Sequence, residues 1–181
     1  MSIKVSILGS GSRGNATFVR AGKTRVLIDC GLSYKSVAKR LWSIGEDPEA
    51  IDAVLVTHEH TDHIGGLPSM LKKSSFEVYM SEGTRSGWRI DRFDKHASFI
   101  LPAVSDKVFG IGELEITPFS VPHDAQEPLA FSMRHKGIKV TQLTDVGWIP
   151  DGVAEALRGS DILILESNHD LEMLRLGPYP W

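Results

Sequence analysis

A chain of 181 residues suffices for one domain with a substantial core and is short for two domains of ordinary size. Hydrophobic residues at 41% and charged residues at 24% match an average globular protein, which rules out a disordered or fibrous chain. The formal charge of −3, from 20 basic and 23 acidic side chains, offers no general attraction to nucleic acid or anionic membrane, so a polyanionic partner needs a local basic patch. Apolar runs stay far below the roughly 18 residues of a membrane span, and no charged stretch followed by a hydrophobic one opens the chain. A cytoplasmic location without a membrane partner is expected, and the single cysteine, Cys30, excludes an internal disulfide.

In chain order, residues 3–8 and 15–20 read as β-rich strands around the glycine loop Gly9-Ser-Gly-Ser-Arg-Gly14. A turn at 21–23 leads to a third strand over 24–29. Ser33 can cap a helix running to about Ile44, with Val37, Leu41 and Ile44 at helical spacing and Gly45 as its stop. The apolar segment 51–57 reads as a strand and 67–73 as a short helix. Residues 76–80 read as a strand, 81–89 as helical and 90–105 as mostly connection. Strands follow at 114–121, 129–134 and 138–143, the last two joined by a tight turn at Lys136-Gly137; a helix over 150–157 and a strand over 161–166 complete the pattern. Strands in meander-like runs, without regular βαβ alternation, predict two layered sheets with flanking helices.

Seven histidines are present and three of them fall within His58-Glu-His60-Thr-Asp62-His63, directly after the strand over 51–57. Residues two apart in extended backbone project the same way, so His58 and His60 can converge on one point while Asp62 and His63, past the bend, face a second point nearby. Neutral imidazole and carboxylate are ligands for zinc, manganese or iron, at about 2.0 to 2.2 Å for zinc. A lone histidine is most often a surface or hydrogen-bonded residue; four such groups in six positions point to metal.

The pattern His58-x-His60-x-Asp62-His63 resembles the signature of the metallo-β-lactamase superfamily, and Asp29, His123 and Asp145 match its remaining motifs in order. The resemblance implies an αββα sandwich of two mostly antiparallel or mixed β-sheets flanked by helices, in one metallo-hydrolase domain over 1–181. It implies two divalent metal ions, zinc or manganese with iron open. His58, His60 and His123 would hold one, Asp62 and His63 the other, and Asp145 would bridge, with Asp29 orienting a ligand imidazole. Gly9-Ser-Gly-Ser-Arg-Gly-Asn15, His123–Pro128, Glu166-Ser-Asn-His-Asp170 and Gly177-Pro-Tyr-Pro-Trp181 look like the YycJ/WalJ branch, bacterial proteins assigned as DNA exonucleases or phosphodiesterases. In that branch Asn168 and His169 would line the cleft. The branch's last metal ligand, a histidine beyond Gly-Pro-Tyr-Pro-Trp, is not matched before Trp181, so a C-terminally incomplete domain with a weakened second site is expected.

The function implied is a phosphodiesterase or DNA exonuclease working through a metal-bridged hydroxide, with Asp62 handling the proton. Hydrolysis of small esters, thioesters or lactones is the first alternative, and a metal-binding domain with little turnover the second. DNA is the expected substrate, with Lys72, Lys73, Arg85, Arg89 and Arg92 available as a phosphate track and a homo-oligomer left open. The glycine loop lacks the Walker A lysine and the βαβ context, and reads first as a tight turn.

Overall fold

Side-chain alternation along each strand sorts the apolar residues onto two faces, and every inward face needs a partner layer. In the computed structural model, which describes residues 2–88 and 99–166, those faces are satisfied by two stacked sheets. The first has the order β1 (Ile3–Gly9), β2 (Ala16–Ala21), β3 (Thr24–Ile28), β4 (Ala53–Leu55), β5 (Glu77–Met80), β6 (Ile100–Pro102). Its first three strands are antiparallel, and β3 to β6 run parallel. The second comprises β7 (Phe109–Ile111), β8 (Leu114–Ser120), β9 (Leu129–His135), β10 (Ile138–Leu143) and β11 (Ile162–Leu165), in the order β11-β10-β9-β8-β7. Among the described residues, only the β10–β11 pair is parallel in this second sheet. Both sheets are thus mixed, as anticipated.

Period-two burial builds three cores. Val26, Ile28, Ala53 and Leu55 face Leu129, Phe131, Met133 and Val140 between the sheets. Leu27, Val54 and Val78, one residue out of phase, face the helices α1 (Tyr34–Ser43) and α3 (Leu67–Leu71) through Val37, Leu41 and Met70. On the far side Phe119, Ala130 and Leu143 pack with Val153 of α5 (Asp151–Leu157). The αββα order therefore follows from which alternate residues are apolar.

Most of the expected elements are present. Ser33 caps α1 by accepting from the Ser36 N–H, and Gly45 follows at φ +76°. Lys136 and Gly137 form the two-residue hairpin turn with φ of +48° and +87°, the sign pair of a type I′ turn. The strand expected over 51–57 is shorter: the ladder runs on through the Val56 N–H to Tyr79 O, but the Thr57 N–H is taken by the Asp29 side chain. Strands β6 and β7 and the single-turn helix α2 (Thr61–Ile64) were not anticipated, because three or four residues carry no readable period. Helix α4 (Glu82–Trp88) agrees with the expectation over 81–89 as far as the described residues go. Among them no helix is long and apolar enough to cross a membrane.

One buried charge ties α1 to the first sheet. The Glu46 side chain is 1% exposed and accepts from Lys4 at 3.1 Å, Arg20 at 2.7 Å and Arg25 at 3.2 Å, one cation from each of β1, β2 and β3. Burial alone would raise its pKa; the Lys4 and Arg25 hydrogen bonds and the Arg20 charge outweigh burial and hold it below the ordinary carboxylate range. A depressed carboxylate stabilises the fold above its unfolded pKa, and that contribution disappears as pH falls through the folded value. Glu46→Gln is expected to cost about 1–3 kcal/mol at pH 7. The difference in thermal midpoint from wild type should narrow as melts are repeated at pH values falling below the ordinary carboxylate range.

Candidate metal centre

Four strand ends deliver the polar side chains. Asp29 follows β3, the 58–63 segment follows β4, His123 follows β8 and Asp145 follows β10. Asp29 and Asp145 both leave their strands in the left-handed region, at φ +61° and +55°. That conformation costs a non-glycine residue roughly 1–2 kcal/mol, least for Asp and Asn, and it turns each carboxylate off the sheet.

The Asp29 carboxylate is fully buried. Its Oδ1 accepts from the Thr57 N–H at 2.8 Å, and its Oδ2 accepts from His63 Nδ1–H at 2.8 Å. The Thr57 hydroxyl donates to the same carboxylate at 2.9 Å and accepts from His58 Nδ1–H at 3.0 Å. One carboxylate and one hydroxyl thereby engage Nδ1 of two imidazoles, leaving Nε2 of each turned toward the centre.

Burial pushes His58 down to about 3, helped by the charges of His63, His123 and His60, so this ring is neutral. Burial also opposes charge on His63, but the Asp29 carboxylate and then Asp145 outweigh it and lift the metal-free ring to about 10. Asp145 is held below the ordinary carboxylate range, because its contacts with the charged His63 ring outweigh its burial.

Among the described residues, two three-residue sets bring ligand atoms within 4.8 Å of one another: His58, His60 and His123, and His58, His63 and Asp145. His60 Nδ1 and His123 Nε2 face each other at 3.3 Å, while His123 Nδ1 is occupied by Asp124 at 3.1 Å. His58 Nε2 and Asp145 Oδ2 are buried without a hydrogen-bond partner. Asp145 Oδ2 lies 3.2 Å from His63 Nε2 without the alignment of a hydrogen bond. Converging unpartnered acceptor atoms are costly unless an electrophile sits among them, so the donor set fits a divalent cation.

His58, His60, His63, His123 and Asp145 thus come together as expected. Asp62 stands beside the two sets rather than within them: its Oδ2 is 3.6 Å from His63 Nε2 and accepts from the Asn15 amide at 3.2 Å. Lys72 and Lys73 are exposed at the end of α3 and Arg85 is half-buried on α4. Asn168, His169, Arg89 and Arg92 lie outside the described residues.

Two site residues carried no assigned role in the sequence, Thr57 and Asn15. Thr57 is hidden because a threonine at a strand end is ordinary. Asn15 closes the glycine loop: its Oδ1 accepts from the Gly11 N–H at 2.8 Å, and its amide approaches His63 Nε2 at 3.0 Å. Its backbone donates to Asp62 O at 2.7 Å and accepts from the Gly31 N–H at 2.9 Å. The glycines were the signal. A Cβ on Gly31 would overlap the Asp62 carbonyl, and one on Gly14, at φ +134°, would press on the Gly31 backbone at 2.8 Å.

Asp29→Asn is expected to bring the His63 titration of the metal-free protein down from about 10 toward the ordinary imidazole range, read by NMR of the ring protons. The sign of the linkage follows. A raised histidine stabilises the fold below its unfolded pKa, and that contribution fades as pH rises through the folded value. Metal-free wild type should therefore lose thermal stability between about pH 7 and 10 relative to the Asn variant.

Residues 24–178 match a family described as "Beta-lactamase superfamily domain". The chain is 35% identical over 183 residues to the Exodeoxyribonuclease YycJ of Bacillus anthracis, covering 100% of this chain and 69% of that protein. Against the Exodeoxyribonuclease WalJ of Streptococcus pneumoniae serotype 2, identity is 35% over 185 residues, covering 100% and 68%. Among solved structures, Zn2+-bound PqqB from Methylobacterium extorquens superposes with a TM-score of 0.77 at 19% identity, over 94% of this chain and 75% of that one. The metallo-β-lactamase fold protein YhfI from Bacillus subtilis gives 0.75 at 20% identity, over 93% and 73%. At these identities the structural likeness speaks for the fold, and the sequence matches carry the lineage: the chain belongs to the beta-lactamase superfamily, within its metallo-β-lactamase fold.

Proposed function

We propose that the protein is a metal-dependent phosphodiesterase that degrades DNA as an exonuclease. The observation that carries this is the pair of ligand sets sharing His58, with His58 Nε2 and Asp145 Oδ2 buried and unpartnered. The substrate follows the whole-chain identity to relatives named exodeoxyribonucleases. His58, His60 and His123 would hold one divalent ion, zinc or manganese. Asp145 would hold a second with His63 and, after a small movement of its carboxylate, Asp62. Bound there, such ions acidify water and neutralise charge on a phosphodiester.

The protein's own groups supply the rest. Asp29 and Thr57 keep the lone pairs of His63 and His58 aimed inward, so that little reorganisation is needed when charge develops. Asp62, with its side chain 31% exposed and held by the Asn15 amide, can take a proton from the attacking water and pass it to solvent. The loop leaving Asp145 exposes Trp148 at 64% and Ile149 at 45%, while Val146 anchors it in the outer core. Three residues of chain span at most about 11 Å, so this aromatic surface stands beside the centre, where an unpaired base can stack.

End-labelled single- and double-stranded DNA with added manganese or zinc provides the test. Stepwise shortening from an end is expected, abolished by a chelator and reduced more than about 100-fold by His58→Ala. Inert DNA together with rapid hydrolysis of a p-nitrophenyl ester would transfer the site to small esters. Trp148→Ala should raise KM for single-stranded DNA about 5- to 100-fold, the loss of one stacked base, while kcat/KM for bis(p-nitrophenyl) phosphate stays unchanged.

A further inference from the structure

Between His58 and His60 stands Glu59, which the mechanism above does not use. Glu59 sits at a bend, and its side chain contacts α4 and the loop after β8. The residue is half-buried. Oε1 accepts from the Gln126 N–H at 2.8 Å, Oε2 is buried, and a Cβ on Gly87 of α4 would press on its Cδ and Cγ at 2.9 Å.

Gln126 belongs to the loop that carries His123. The loop's neck is closed by Val121 N–H to Pro128 O at 3.3 Å, and its far side is pinned to the start of α4. There Ser81 Oγ donates to Glu127 O at 2.7 Å and the Gly83 N–H donates to Glu127 Oε2 at 2.8 Å. Between neck and pin, the 58–60 segment meets this loop at the 3.3 Å His60–His123 contact and, from the backbone of the loop, at the Glu59–Gln126 bond. It sits one residue from both His58 and His60 and three from His123. Such a tie fixes the separation of the three imidazoles, which lie with ring centroids 4.6 to 5.0 Å apart.

We propose that Glu59 is a positioning residue that holds the His123 loop in register with His58 and His60. This rests on reading the three histidines as a metal set. Zinc competition titrations on wild type, Glu59→Ala, Glu59→Gln, His123→Ala and the Glu59→Ala/His123→Ala pair test it, alongside melts of the metal-free proteins. Glu59→Ala is expected to weaken zinc binding 10- to 100-fold, as loss of an outer support does. Glu59→Gln keeps an oxygen for the Gln126 N–H and should bind within about threefold of wild type. With His123 already removed, Glu59→Ala should change zinc affinity no further, since the two residues act through one loop. A purely structural role would lower the metal-free melting temperature and leave zinc affinity alone; that outcome, or an equal loss in the His123→Ala background, overturns the proposal. Wild type that binds no divalent ion would instead overturn the metal reading beneath it.

Discussion

The arrangement depends on burying the Asp29 carboxylate. A charge with no access to water is tolerated only when its lone pairs are satisfied, and among the described residues the bonds come from two, Thr57 and His63. Those residues lie on either side of the 58–60 segment, so satisfying Asp29 fixes both ends of the histidine cluster. It also ends β4, since the Thr57 N–H that would continue the ladder turns to the carboxylate. Thr57 O then accepts from Leu129 N–H at 2.9 Å, the first residue of β9 in the other sheet. The same dipeptide level therefore engages both imidazoles and joins the two sheets at the end where the site lies.

Close backbone approach is the second constraint. For Asn15 to bond Asp62 through both backbone and side chain, the glycine loop must lie against the turn after β3 and against α2. Gly14 and Gly31 leave the space, and Gly66, where a Cβ would overlap the Leu32 carbonyl, seats the other side of that turn. Substituting any of them would push the loop outward and take the Asn15 amide off Asp62 and His63. Glycine here is required by what the loop must touch as much as by its curvature.

This explains what could be read from the residues alone. Period-two runs such as residues 24–28 and 129–135 announce both their strands and which face is buried, and the cluster at 58–63 announces its chemistry through composition and spacing. The three-residue strands β6 and β7 carry no period, and their place is decided by the neighbours they complete. Glu46 was silent for a related reason: its partners Lys4, Arg20 and Arg25 are 21 to 42 residues away, and no local pattern marks an acid that three strands surround. Thr57 and Asn15 were silent because hydroxyl and amide become informative only once their acceptors are located.

The centre draws its groups from both sheets, Asp29 and the 58–63 segment from the first, His123 and Asp145 from the second. No sheet alone brings a complete set together, and His58 is common to both sets. Ligand geometry is thus a property of how the sheets pack, through Val26, Ile28 and Leu55 against Leu129, Phe131 and Val140. A cavity opened in that core would shift one half of the site relative to the other, and a cation held by His58 and His123 would bridge the two sheets. Stability and affinity are in this way two readings of one interface, with the Asp29–Thr57 pair at its polar end and Phe131 at its apolar centre.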